Sequence, residues 1–313
     1  MSVMEGGQGL VIAGFWQRIG AFLIDTIVLA VVGVIVGGVL YGWLASLGAP
    51  ARLVGFAISL VYFGVLNSRL GGGQTLANRW LGIRVVNAHG QPLTLSRSLL
   101  RYTVLGVPYF LNNLPLPAAT TTSPVVGGLL SLVVFGCGFA ICYLYIFNRR
   151  TRQSLHDLAV GSYVVRVQPE AAMLHVPAVW RGHLAVIAIV ALLSVAAPLL
   201  ADRLFQTQAF TGLLPLYQTL QTQPHVMSAK VMRGWTRSSN RPTTHYLAAQ
   251  LRLDAPMVDD AAYARGIAQT LAKGDPHLSE EDAVTVGLSY GYDIGIASWW
   301  NVHSYSFTRD ELQ

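Results

Sequence analysis

The sequence predicts an α-helical polytopic membrane bundle of about five transmembrane helices, joined to a small C-terminal α+β domain of ββαββ type. Three observations carry that expectation. First, only 12% of the 313 residues are charged while 53% are hydrophobic, and mean hydropathy is +0.47; an average soluble domain is about 25% charged. Second, long apolar runs alternate with arginine-bearing stretches, as membrane segments alternate with cytoplasmic loops. Third, the composition changes at Asp202. Residues 1–201 hold 12 Arg, no Lys and 4 acids, a net of +8, whereas residues 202–313 hold 9 basic and 11 acidic residues, a net of −2. Nucleic-acid binding needs a basic face on a folded surface. Here the arginines are spread between apolar runs, so that class is excluded.

Residues 1–14 carry one charge, Glu5, and several glycines, and read as a loose N-terminal tail without a basic leader region. Residues 15–167 read as the membrane domain. Its first span runs from about Ile19 to Leu44, long enough for a hydrocarbon core of about 30 Å, and contains Gly33-x-x-x-Gly37, a spacing that permits close helix packing. A second segment lies between Arg52 and Arg69, slightly short for a span unless the flanking arginines snorkel. The polar stretch 69–101 follows, with a short strand at Leu81–Asn87 and a turn at Asn87–Gly90. No charge occurs for the 47 residues between Arg101 and Arg149, which is too long for one span. The breaks at Asn112–Pro117 and Thr120–Pro124 divide it into a hairpin of about 102–116 and 125–147, the first arm either crossing or re-entrant. Residues 168–203 read as a linker and the last span, about His183–Ala201. The positive-inside rule puts the arginine-rich stretches 69–101 and 148–182 in the cytoplasm. Five crossings then leave the N-terminus inside and the C-terminal domain outside a bacterial inner membrane.

Residues 204–313 read as that soluble domain. His245–Leu253 alternates with Leu247, Leu251 and Leu253 on one face, and Val226–Trp235 alternates more weakly. Thr236–Pro242 is turn-like. Asp259–Lys273 is expected as a helix with Asp259 as N-cap and Tyr263, Ile267 and Leu271 as its apolar stripe. Val284–Tyr292 and Ser298–Phe307 supply two more strands.

Three ionisable residues stand near or inside the apolar runs: Arg18, Asp25 and Asp157. Arg18 and Asp25 are seven apart, so they share a helix face about 10.5 Å apart along the axis and do not pair directly. Asp25 lies about two turns into the apolar run, where an uncompensated carboxylate costs about 2.5–3.5 kcal/mol at the helix centre. It must be neutral, paired, or facing a polar cavity. Asp157, in Gln153-Ser-Leu-His-Asp-Leu158, is placed to reach the cytoplasmic end of the first helix near Arg18.

Residues 14–166 resemble the RDD family of small bacterial membrane proteins, named for one Arg and two Asp. The blocks that carry the resemblance are Gly14-Phe-Trp-Gln-Arg-Ile-Gly-Ala-Phe-Leu-Ile-Asp25, Gly73-Gln-Thr-Leu76, Leu81-Gly-Ile-Arg-Val-Val86 and Arg152-Gln-Ser-Leu-His-Asp-Leu158. The resemblance makes Arg18 the family Arg and Asp25 and Asp157 its two Asp. It departs after Gln74-Thr75, where the family commonly shows Gly-Lys and this chain has Ala77-Asn78 followed by Arg79, a candidate replacement for the Lys charge. The resemblance implies a transport-related role, since some members look like cation/proton antiporters. An intramembrane Asp can alternate between a proton and a small cation, with Arg18 biasing its protonation by charge. The rival class is a non-transporting scaffold or sensor, in which Arg18, Asp25 and Asp157 lock helix packing and the C-terminal domain binds a partner.

Gln74, Thr75, Arg79 and His156 are accessory candidates, His156 as a proton relay beside Asp157. The other histidines have no metal-ligand spacing, and no metal or cofactor is expected. Cys137 and Cys142 point about 140° apart on a helix and form no pair. Asp275, Glu280, Glu281 and Asp282 read as a solvated cluster, and Trp299-Trp300 with Tyr290, Tyr292 and Tyr305 as aromatic packing. No phosphate loop, nucleophile elbow or acid/base pair is visible, so the chain is expected not to be an enzyme. The expected partners are the lipid bilayer, small cations or protons, and a second copy or an envelope protein.

Overall fold

A computed structural model describes residues 11–112, 123–167, 178–205, 212–238, 241–278 and 281–312. Two compact units divide the chain. The first comprises residues up to Val34, Arg52–Leu199 and Ile294–Ala297; the second comprises Ile35–Ala51, Leu200–Asp293 and Ser298–Gln313.

The first unit is helical. α1 (Phe15–Val39), α6 (Pro124–Phe147) and α8 (Arg181–Phe205) hold the three described helices, or helix portions, long and apolar enough to cross a membrane, so the chain is a membrane protein. α3 (Ala51–Leu66) has 16 residues, about 24 Å of helix, and qualifies as a span only together with the preceding short helix α2 (Tyr41–Leu47). α5 (Leu95–Leu111) differs from its expected bounds. It begins seven residues before the expected arm, capped by Thr94, whose hydroxyl accepts from Arg97 N at 3.4 Å. Arg97 and Arg101 therefore lie inside the helix, which at 17 residues is not among the span-grade helices. The expected break after Asn112 and the end of that arm lie outside the described residues, as do residues 1–10 of the tail. Residues 11–13 of that expected tail are bonded along a strand: Ala13 N donates to Val164 O at 2.9 Å and Arg166 N to Val11 O at 2.8 Å.

The expected strand at Leu81–Asn87 is β1 (Ile83–Asn87), preceded by the short helix α4 (Leu76–Trp80). Its partner, unread in the sequence, is β2 (Ser162–Arg166), which follows the short helix α7 (Leu155–Val160). The two strands pair antiparallel from Ile83 opposite Arg166 to Asn87 opposite Ser162. Asn87 Oδ1 accepts from His89 N and Gln91 N, and Gly90 takes φ 75° in the turn, a conformation that favours glycine. Ile83, Val85, Val160 and Val164 pack with Ala13, Ala21 and Ala77 in one buried cluster.

The second unit is a four-stranded sheet ordered β3 (Val226–Ser238), β4 (Arg241–Leu253), β5 (Ala283–Asp293), β6 (Ser298–Thr308). The outer pairs are antiparallel and the central β4–β5 pair is parallel. A parallel pair needs a crossover, and α10 (Ala261–Gly274) is the helix within it. Its N-cap is Asp260, which accepts from Tyr263 N at 2.9 Å, and not the expected Asp259. The two-residue period puts Leu247, Ala249, Leu251, Val284, Val286 and Leu288 on one face, where they meet Ala264, Ile267, Ala268 and Leu271 of α10. A further helix, α9 (Leu213–Gln221), adds Leu216 and Leu220. Ala45, on the short helix α2 (Tyr41–Leu47), joins this core, and Tyr41 packs edge-on against Tyr290 and Tyr292 with ring centroids 5.8 Å apart. Gly37 is required by close approach, because a Cβ there would lie 1.8 Å from the Tyr292 hydroxyl.

The acidic residues after α10 are not a solvated cluster. Asp275 and Glu281 are buried and Arg233 of β3 pairs with both, with Glu281 at 3.1 Å; Glu280 lies outside the described residues. The aromatic group disperses. Tyr290 and Tyr292 face Tyr41, Arg252 sits over Trp300 at 4.5 Å, Tyr305 stacks on His303 at 4.4 Å, and Trp299 is exposed.

Leu251 is fully buried at the centre of this core. Leu251→Ala is expected to destabilise the second unit by about 2–5 kcal/mol, read as a lower midpoint in chemical denaturation.

Candidate functional site

Asp157 stands at the third position of α7 and is 0% exposed. Burying a carboxylate is tolerable only when charge and hydrogen bonds compensate it, and here both oxygens are engaged. Oδ1 accepts from Arg101 Nε at 2.9 Å, from Arg101 Nη2 at 2.8 Å and from Ser162 Oγ at 3.0 Å. Oδ2 accepts from Arg18 Nη2 at 2.7 Å and from Ser154 N at 3.2 Å. The two guanidiniums outweigh the burial and hold this carboxyl well below the usual carboxylate range.

Arg18 is itself held on three sides. It donates to Asp157 and to the Arg152 carbonyl, and lies 4.8 Å from the Tyr145 ring centroid. Arg152 adopts φ 51°, a costly conformation for a non-glycine residue. Its neighbours fix that loop: Asn148 Nδ2 donates to Thr151 Oγ1 at 2.7 Å and to Gln153 O at 2.9 Å, and Gln153 Nε2 donates to Ser162 O at 2.9 Å.

His156 is buried next to Asp157, with Nε2 3.5 Å from Oδ2. Desolvation lowers its pKa to about 3, against the attraction of Asp157 and together with repulsion from Arg101 and Arg18. The imidazole is therefore neutral at physiological pH, beside a carboxylate that stays ionised.

Asp25 uses different partners. It is 2% exposed, and its Oδ1 accepts from Tyr62 Oη at 2.7 Å and from Ala77 N at 3.2 Å. That amide is in the first turn of α4. Thr75 caps the same turn, accepting from Asn78 N at 3.2 Å, and Asn78 Nδ2 donates to Asn67 Oδ1 at 3.3 Å. Asp25 Oδ2 accepts from no described residue. Arg18 is committed to Asp157, so Arg18 and Asp25 belong to two separate clusters on one helix.

A cavity of about 820 Å³ lies inside the first unit. Asp25, Asn67, Thr75 and Asn78 contribute to its wall together with Arg18, Arg101 and His156, Leu29 and Phe63 supply apolar surface, and Asp157 itself takes no part in the lining. Of the accessory candidates, His156 lies beside Asp157 and Thr75 beside Asp25, while Gln74 and Arg79 bond to neither carboxylate. Gln74 Nε2 donates to Ile83 O at 2.9 Å, and exposed Arg79 donates to Gly71 O at 3.1 Å. Arg79 thus makes no hydrogen bond to either Asp. Sequence reasoning missed Arg101, Ser162 and Tyr62. Arg101 served only as the end of an apolar run, and a Tyr within such a run carries no signal of its own.

Residues 12–161 match the model of the RDD family. A protein of Bacillus subtilis (strain 168) described as uncharacterized protein YckC is 26% identical over 157 residues, covering 50% of this chain and 86% of that protein. No solved structure matches the chain.

Two outcomes follow from the Asp157 cluster. Asp157→Asn leaves two buried guanidiniums without a counter-ion and is expected to cost about 3–5 kcal/mol, whereas Arg101→Lys, which keeps the charge but loses the fork, costs less; thermal unfolding of the purified protein measures both. His156 takes up a proton near pH 6.5 when unfolded and only near 3 when folded, so the unfolded state binds more protons between those values and stability falls as pH drops through that window. His156→Gln is expected to flatten this dependence, read as unfolding temperature against pH.

Proposed function

Starting from an RDD-family domain over residues 12–161 of a membrane protein, we propose that Asp25 is the group that exchanges a proton for a small cation, and that Arg18, Arg101 and Asp157 form a closed clamp that carries no cargo. The observation that carries this reading is the contrast between the two carboxylates. Asp25 borders the cavity with one oxygen uncommitted, while Asp157 has both oxygens engaged and lies off it. A group that binds and releases an ion needs a lone pair left over and a route to it. The neutral donors and acceptors around Asp25, from Tyr62, Asn67, Thr75 and Asn78, are oxygen-rich ligands suited to a hard cation.

The same reading assigns the topology. The direct pairing of β1 with β2 supports putting the arginine-rich stretches 69–101 and 148–182 on one side of the bilayer, with an even number of crossings between them. Counting α3 and α5 as short crossings gives five, with the arginines cytoplasmic, the C-terminal domain extracytoplasmic, and a bacterial inner membrane as the site. No reaction is assigned to the chain. A second reading, favoured by the saturated clamp, is a non-transporting scaffold or sensor. Its C-terminal domain would then bind an envelope protein or a second copy.

Proteoliposomes with an entrapped pH-sensitive dye test the first reading. An imposed sodium or potassium gradient is expected to drive proton movement with wild-type protein, and Asp25→Asn to abolish it while the protein stays folded. Folded wild-type protein that moves no proton against any small cation would leave the scaffold reading.

A further inference from the structure

The stretch between α3 and β1 exposes apolar side chains outside the span-grade helices. Leu70, Leu76 and Trp80 are 67%, 49% and 77% exposed. Leu76 and Trp80 are four apart on α4 and so project from one face. Exposed Arg69 and Arg79 flank them. This is a built element and not a slack loop. Ser68 Oγ caps the 3₁₀ turn Arg69–Gly71 by accepting from Leu70 N at 3.1 Å, Arg79 donates to Gly71 O at 3.1 Å, and Arg69 N donates to Leu93 O at 2.7 Å. On its inner side, Ala77 is buried and Val85 N donates to Gly73 O at 2.8 Å.

The charge around it has one sign. Between residues 11 and 167 the only carboxylates in the sequence are Asp25 and Asp157, and both are buried. Arg97, Arg149, Arg150 and Arg166 are exposed along with Arg69 and Arg79. A cationic surface with a protruding Trp and two Leu matches the interface of an anionic bilayer. An indole sits at headgroup depth, leucines enter the acyl boundary, and a guanidinium fork matches phosphate oxygens.

We infer that Arg69–Trp80 is a membrane-surface wedge that engages the phosphate headgroups of anionic lipids through Arg69 and Arg79 and inserts Leu70, Leu76 and Trp80 beneath them. The lipid-facing side chains Arg69 and Trp80 take no part in the Asp25 site, so the wedge is tested separately from ion exchange there.

Amide hydrogen exchange of residues 69–80 tests it, on the full chain in nanodiscs of phosphatidylcholine with and without phosphatidylglycerol. Exchange is expected to slow when phosphatidylglycerol is present. Arg69→Gln, at a side chain that bonds to no described residue, is expected to weaken lipid affinity about fivefold, about 1 kcal/mol; Trp80→Ser is expected to reduce the slowing as well. Equal exchange in both lipids, or full slowing in both variants, would overturn the proposal. So would the same slowing by inorganic phosphate in phosphatidylcholine discs, which would mark a free-anion site.

Discussion

One buried carboxylate shared by two guanidiniums organises an end of the membrane domain. Asp157 reaches α1 through Arg18, α5 through Arg101 and β2 through Ser162, while Arg18 also holds the loop that precedes α7. Charges in a medium of low dielectric are expensive alone and strongly coupled when together, so these segments are bound to one another by the cost of separating them. Arginine suits this role. Arg101 places Nε and Nη2 on the same oxygen, a forked contact that a lysine ammonium cannot make. The β1–β2 pairing and the buried cluster of Ile83, Val85 and Val164 complete the same end of the unit.

Two aspartates that look alike in the sequence therefore have opposite environments. Two guanidiniums, a hydroxyl and a backbone amide engage both oxygens of Asp157. Neutral donors hold Asp25, a phenol and a backbone amide, and both bond to the same oxygen. An ionised group fixed by salt bridges adds rigidity, whereas Asp25 stands at a cavity wall with one oxygen left over. Separate partners let α1 carry both without interference, with Arg18 and Asp25 two turns apart on one face.

Much of this was legible in the residues. Hydropathy marks α1, α6 and α8 because long apolar runs have few other uses, and the two-residue alternation in His245–Leu253 and Val284–Tyr292 marks the core strands. The motif residues Arg18, Asp25 and Asp157 stand out because charge is scarce around them. What was hidden depends on contacts distant in sequence. Arg97 and Arg101 read as the end of a loop, yet Arg101 is an internal partner of a residue 56 positions later. The strand Ser162–Arg166 is too short to announce itself before β1 pairs with it. The acidic run after α10 looks solvated until Arg233, 42 positions earlier, is seen to neutralise Asp275.

The proposed exchange of a proton for a cation falls on one carboxylate of the membrane domain, Asp25. Infrared difference spectroscopy of the carboxyl C=O stretch, on the full chain in bilayers cycled between proton-loaded and sodium- or potassium-loaded states, addresses it directly. The account predicts a carboxyl band that appears on proton loading and is absent from Asp25→Asn. The same band persisting undiminished in Asp25→Asn would contradict it.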